Sequence, residues 1–170
     1  MSDQSTRPLV ELLRGEGAHI DPVACVADLA PEQAGILVAG SPHTIWQLLS
    51  HLNFWMEYDL GRVRGEVRPY PVHNAESFPL APAPGDAGEW RQAVARFEAL
   101  IDEHVTLAGS PAEMLAREVP PAHVSHTRRA STVLAVLWQT VAHNSYHIGQ
   151  IALLRRSLGA WPPPGGGNTW

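Results

Sequence analysis

STVLAVLWQTVAHNSYHIGQIALLRRSLG, residues 131–159, is the stretch from which the fold can be read. From Ala130 to Leu154 the chain carries no Asp, Glu, Lys or Arg, a length that reaches the roughly 20 residues needed to span a bilayer. Yet Ser131, Thr132, Gln139, Thr140, His143, Asn144, Ser145, His147 and Gln150 interrupt it. Such a density of polar groups fits the buried central helix of a bundle in water, and no membrane span is expected. At about 100° per residue, Val133, Val136, Thr140, His143, His147, Ile151, Leu154 and Leu158 fall on one line. Ser131 is the expected cap of this helix and Gly159 its end.

Working outward, the rest of the chain also reads as helices. A short one is expected from Thr6 or Pro8 to Arg14, ended by Gly15 and Gly17, and another from Asp21-Pro22 to about Leu29. Pro31 and Gly40 bracket a loop. Ser41-Pro42 then opens the second main helix, which runs to about Arg64 with an apolar stripe of Ile45, Leu48, Leu49, Leu52, Trp55, Met56 and Val63. Asp86 is the expected cap of a third, reaching about Leu107, with Trp90, Val94, Phe97 and Ile101 on one face; Ser110-Pro111 starts a further turn or two.

Between the second and third main helices, Glu66 to Gly85 holds Pro69, Pro71, Pro79, Pro82 and Pro84. It is expected to be neither helix nor central strand. A helix over 41–64 is about 35 Å long at 1.5 Å per residue, and an extended proline-rich segment, at about 3.1 Å per residue, can retrace it. The next helix can therefore lie parallel to the one before, which a short loop would forbid. The expected fold is an all-α four-helix bundle with a long proline-rich crossover between main helices 2 and 3.

Composition narrows the function. The 170 residues fit one domain, 1–170, with a core over about 20–160 and a proline/glycine-rich tail at 161–170 whose Trp161 and Trp170 are expected to cover bundle surface. Seventeen acids against twelve bases and no dense Lys/Arg cluster exclude a nucleic-acid binder. The single cysteine, Cys25, excludes an internal disulfide and cysteine-based metal clusters; it fits a reducing cytoplasm and reads as buried filler rather than as a nucleophile. The start, MSDQSTRPLV, has no basic region followed by an apolar run, so no secretory signal is expected.

HNSYH, residues 143–147, puts two imidazoles on one helical face, the spacing by which one helix offers two nitrogens to a metal. Buried in an apolar stripe, the two rings need partners. A metal is one solution; hydrogen bonds to Gln139, Gln150 or backbone carbonyls are the other. A third ligand must come from elsewhere, and His51, on the flank of the second helix's stripe, is the candidate. His19, His43, His73, His104, His123 and His126 are expected to face water. A divalent ion on three neutral imidazoles would keep its charge and an open position, lowering the pKa of bound water or polarising a thiol or carbonyl. Position 144 is Asn, so the glutamate base of HExxH proteases is missing, and neither Glu57 nor Asp59 is assigned as a base. Trp55 and Tyr58, one and two turns beyond His51, are candidates to line a substrate site.

HTIWQLLSHLNFW (43–55), the proline-rich crossover and AHNSYHIGQIALLRRSLGAW (142–161) together resemble the DinB/YfiT-like superfamily of metalloenzymes over residues 20–160. The resemblance implies an up-down-down-up four-helix bundle, frequent homodimers, and a three-histidine site for a divalent metal, often nickel or zinc. Matched position by position, the ligands are His51, His143 and His147. Members with known activity are thiol-dependent S-transferases or isomerases using bacillithiol, mycothiol or related thiols. The implied function is a metal-dependent transferase or hydrolase acting on a small molecule in detoxification or stress response. The alternative is a non-catalytic metal- or ligand-binding protein associated with stress.

Overall fold

The computed structural model describes residues 6–66, 68–121 and 131–167. Seven helices follow one another among them: α1 (Arg7–Leu13), α2 (Ala24–Ala27), α3 (Pro31–Ala34), α4 (Ile45–Arg64), α5 (Ala87–Ala108), α6 (Ala112–Leu115) and α7 (Val133–Ser157). A single 3-10 turn, Asn74–Ser77, sits between α4 and α5. The two-residue strands β1 (Glu118–Val119) and β2 (Ser131–Thr132) pair antiparallel, Glu118 opposite Thr132. No described helix is long and apolar enough to cross a membrane.

The protein is an all-α bundle whose frame is α4, α5 and α7. Four contacts fix the relative direction of α4 and α5. Trp46 meets Trp90, Asn53 donates to the Ala93 carbonyl, Glu57 pairs with Arg96, and Arg64 with Glu103. Both residue numbers rise together, so the two helices are parallel. His51 faces His147 while Met56 meets Asn144, so α7 is antiparallel to α4. The crossover retraces α4 as the proline content implies: Ser77 reaches His51, the Pro79 carbonyl takes the Gln47 amide, and the Pro82 carbonyl takes the Thr44 hydroxyl at 2.6 Å. The short α1 and α2 share the remaining corner, packed against α7. Leu9 and Leu13 of α1 are fully buried, so packing begins ahead of residue 20.

Several helix ends differ from the sequence reading, each for a local reason. α4 starts at Ile45, not at Ser41, because Thr44 and Gln47 form a reciprocal cap: the Gln47 amide N–H donates to Thr44 Oγ1 (3.2 Å) and the Thr44 N–H to Gln47 Oε1 (3.1 Å). α7 is capped by Thr132 rather than Ser131: the Thr132 hydroxyl accepts from the Ala135 N–H at 3.2 Å. The Asp21 cap holds the N–H groups of Val23 and Ala24 as expected. The helix it starts stops at Ala27, however, since Pro31 forces Ala30 into an extended conformation. Pro31 then begins a turn of helix where a loop was expected.

Arg155 locks α7 to this corner. Its guanidinium is 1% exposed, forks onto both oxygens of Asp28 (2.7 and 2.9 Å), and also donates to the carbonyls of Cys25 and Ala160. Cys25 itself is fully buried, and burial pushes its thiol up to about 12, so it is core filler. Trp161 packs half-buried against the core under the Arg156 guanidinium, 4.7 Å from its ring. Trp170, His123 and His126 lie outside the described residues.

Candidate metal centre

α4 and α7 are held face to face by the apolar core, and each turns histidine toward the other at one level of the bundle. The four-residue spacing of His143 and His147 sets their rings on adjacent turns, edge to face with 4.6 Å between centroids. His51 comes in from α4. The Nε2 of His143 lies 3.1 Å from the Nε2 of His51 and 3.1 Å from that of His147. One ligand nitrogen from each ring falls within 4.8 Å of the others.

The outer nitrogens explain why the inner ones point inward. Ser77 gives its hydroxyl hydrogen to the Asn74 carbonyl (2.6 Å), so its oxygen accepts from His51 Nδ1–H at 2.8 Å. Gln150 Oε1 accepts from His147 Nδ1–H at 2.7 Å. These partners assign the tautomers and leave both Nε2 atoms as bare acceptors. Phe78 fixes His51 further: it lies between two imidazoles, stacked on His51 at 4.0 Å and on His43 at 3.9 Å.

Burial pushes His51 down to about 3 and His143 down to about 4, with the neighbouring imidazoles adding to the effect, and it lowers His147 as well. All three rings are therefore neutral near pH 7, the ligating form. A proton cannot satisfy the arrangement: one Nε2–H on His143 serves either His51 or His147 and leaves the other lone pair unmatched. A divalent cation satisfies all three. The donor set, with a hydrogen-bonded outer nitrogen on two rings, fits an imidazole-bound metal.

The three imidazoles form one end of a cavity of about 380 Å³. Trp55, Met56, Tyr70 and Phe78 supply an apolar and aromatic wall, and Asp59, Asn74, Gln139 and Thr140 the remaining polar groups. Trp55 therefore borders the cavity. Tyr58 stands behind it, its ring 5.5 Å from Trp55 and 5.8 Å from Tyr70. Of the two acids near His51, Glu57 turns away to pair with Arg96 and Asp59 turns in.

Sequence reasoning missed Asp59 in this role. It lies about 80° round the helix from His51, and its one clue is Arg62, three residues on, which pairs with it inside the protein. Ser77 was also missed, because it sits in a crossover with no periodic pattern. The expectation that the other histidines face water needs correcting for three of them. His104 is fully buried, with Nδ1 on the Leu100 carbonyl and Nε2 without a partner. His19 is half-buried between the Ile20 carbonyl and Ser145, and His43 is half-buried on Phe78. His19 reaches Ser145 and His43 stacks on Phe78, both distant in sequence, whereas His104 is buried by helix packing and bonds the Leu100 carbonyl of its own helix.

A helical bundle enclosing three convergent imidazoles beside a small cavity is one whose His51, His143 and His147 could hold a metal ion. The chain matches the model of the DinB superfamily over residues 4–151, and it belongs to that family. No curated protein matches it.

Proposed function

We propose that this protein is a metal-dependent enzyme that uses an ion, nickel or zinc, held by His51, His143 and His147. Its reaction is the transfer of a low-molecular-weight thiol such as bacillithiol or mycothiol to an electrophilic small molecule, in detoxification or stress response. The observation that carries this reading is the pair of 3.1 Å Nε2 contacts around His143, with the outer nitrogens of His51 and His147 already engaged. Bound there, the ion supplies the charge that keeps a thiol deprotonated at neutral pH.

The chain's own residues have distinct tasks. Ser77 and Gln150 hold their rings in the ligating tautomer. Trp55, Tyr70 and Phe78 exclude water and receive the apolar part of the electrophile, with Tyr58 bracing Trp55 from behind. The cavity volume suits a small molecule rather than a polymer. Exposed Trp138, Tyr146 and Leu153 on α7 support a homodimer, which a solution mass measurement tests. A cytoplasmic location follows from the thiol cofactor that the reaction requires.

The test uses untagged protein. Elemental analysis should find nickel or zinc, and a panel of thiols and electrophiles should give a metal-dependent conjugate by mass spectrometry. Metal content without any conjugate would leave a non-catalytic binding protein, and absence of metal would remove the proposal.

A further inference from the structure

Asp59 is 7% exposed and lies on the cavity wall. Its Oδ1 accepts from Arg62 Nη1 at 3.0 Å, and Arg62 is itself anchored by Nη2 and Nε on the Pro120 carbonyl at 2.9 and 3.3 Å. Arg62 does not border the cavity. It holds the carboxylate from behind and leaves Oδ2 without a partner among the described residues. A carboxylate accepts about four hydrogen bonds, so most of this one's acceptor capacity is open to whatever occupies the cavity, and burial pushes it up to about 6 despite the guanidinium. A group under such conditions gains from any donor that enters the cavity.

The position along α4 says what that donor belongs to. Asp59 is about 12 Å along the helix axis from His51, with the ring of Trp55 between them in sequence. We propose that Asp59 is the second recognition point of the cavity: its free oxygen accepts hydrogen bonds from an amine or ammonium group of a ligand whose metal-binding head is held at the three histidines. The substrate class is a small molecule with an anionic or thiol head and an amine about 10 Å away, joined by an apolar chain that lies along Trp55 and Tyr70. This rests on the three-histidine reading for its head group and on Asp59 alone for its tail.

Two probes that differ only at the tail test it on nickel-loaded protein: hexanohydroxamic acid and 6-aminohexanohydroxamic acid, titrated by calorimetry. The amine should tighten binding about tenfold. The advantage should vanish in Asp59→Asn, which leaves the plain probe's affinity unchanged. On wild type alone, the three-carbon pair, too short to span the cavity, should show no advantage from the amine. Equal binding of the two six-carbon probes to wild type, or an advantage that survives in Asp59→Asn, overturns the proposal. A second readout separates the tail from the head: in metal-free protein, hexylamine should move the ¹³C signal of the Asp59 carboxyl, and an unmoved signal overturns the amine site whatever happens at the histidines. A moved signal in a protein that binds neither hydroxamate supports Asp59 and removes the metal reading instead.

Discussion

His143 Nε2 stands 3.1 Å from the Nε2 of His51, a residue ninety-two positions earlier. Two neutral imidazoles held nitrogen to nitrogen inside a protein need a shared proton or a shared cation. His147 presents a third nitrogen to the same point, which favours the cation.

The first prediction follows from that geometry. His147→Ala and His51→Ala should each abolish stoichiometric metal binding, since two imidazoles do not make a tight site. Ser77→Ala and Gln150→Leu remove only the outer hydrogen bonds. They should keep the stoichiometry at saturating metal and weaken affinity by roughly 10–100-fold. Elemental analysis reads the first pair and competition with a chromogenic chelator the second. Equal affinities for wild type and Ser77→Ala would mean that Ser77 does not set the His51 tautomer.

Chelation should lower the melting temperature, because a ligand that binds only the folded state stabilises by about 4 kcal/mol when present at a thousand times its dissociation constant. His147→Ala should melt at the same temperature with and without chelator. A chelator effect of unchanged size in that variant would place the metal elsewhere in the protein.

The three apolar stripes, the crossover and the histidine pair were legible because each is a regular pattern. Helical apolar spacing names Ile45, Leu49, Leu52 and Met56 as core, and they are buried. The parallel course of α4 and α5 follows from counting prolines and residues between them. What could not be read depends on contacts distant in sequence. Ser131 and Thr132 are adjacent hydroxyls and equally good caps in sequence; it is the Thr132 side chain that accepts from Ala135 N–H. His104 beside Asp102 and Glu103 looks solvated, yet it is on the inner face of α5, where bundle packing and not its neighbours decides exposure. Ser77 gained its place from the path of the crossover, which leaves no spacing to count, and Asp59 from an arginine anchored on Pro120, of which the sequence shows only the three-residue spacing to Arg62.

His104 makes stability depend on pH. Burial lowers its pKa below the unfolded value near 6.5, so the unfolded chain binds a proton that the folded one resists. Its contribution is present above about pH 6.5 and is lost as the pH falls from there through the lower folded value. His104→Leu removes both the titration and the buried, unpartnered Nε2. The variant should gain on wild type as the pH is lowered from 7.5 to 5, as read by urea unfolding at each pH. A difference between the two proteins that stays constant with pH would show that His104 does not carry a proton-linked cost.

Arg155 offers the clearest test of what holds the last helix in place. Its charge is almost fully withdrawn from water, and the desolvation it suffers is offset by a two-point fork onto Asp28 and by the carbonyls of Cys25 and Ala160. Removing one partner leaves the other without compensation, so Asp28→Ala should cost roughly 3 kcal/mol or more. Arg155→Met should cost less than Asp28→Ala, because it deletes the buried charge and keeps an apolar chain in the same space, while Asp28, about a third exposed, can return to water. The double variant should be close to Arg155→Met alone. Urea unfolding of the three variants checks the order, and an Arg155→Met protein less stable than Asp28→Ala would mean that the two carbonyl contacts, rather than the ion pair, tie α7 to the α2 corner.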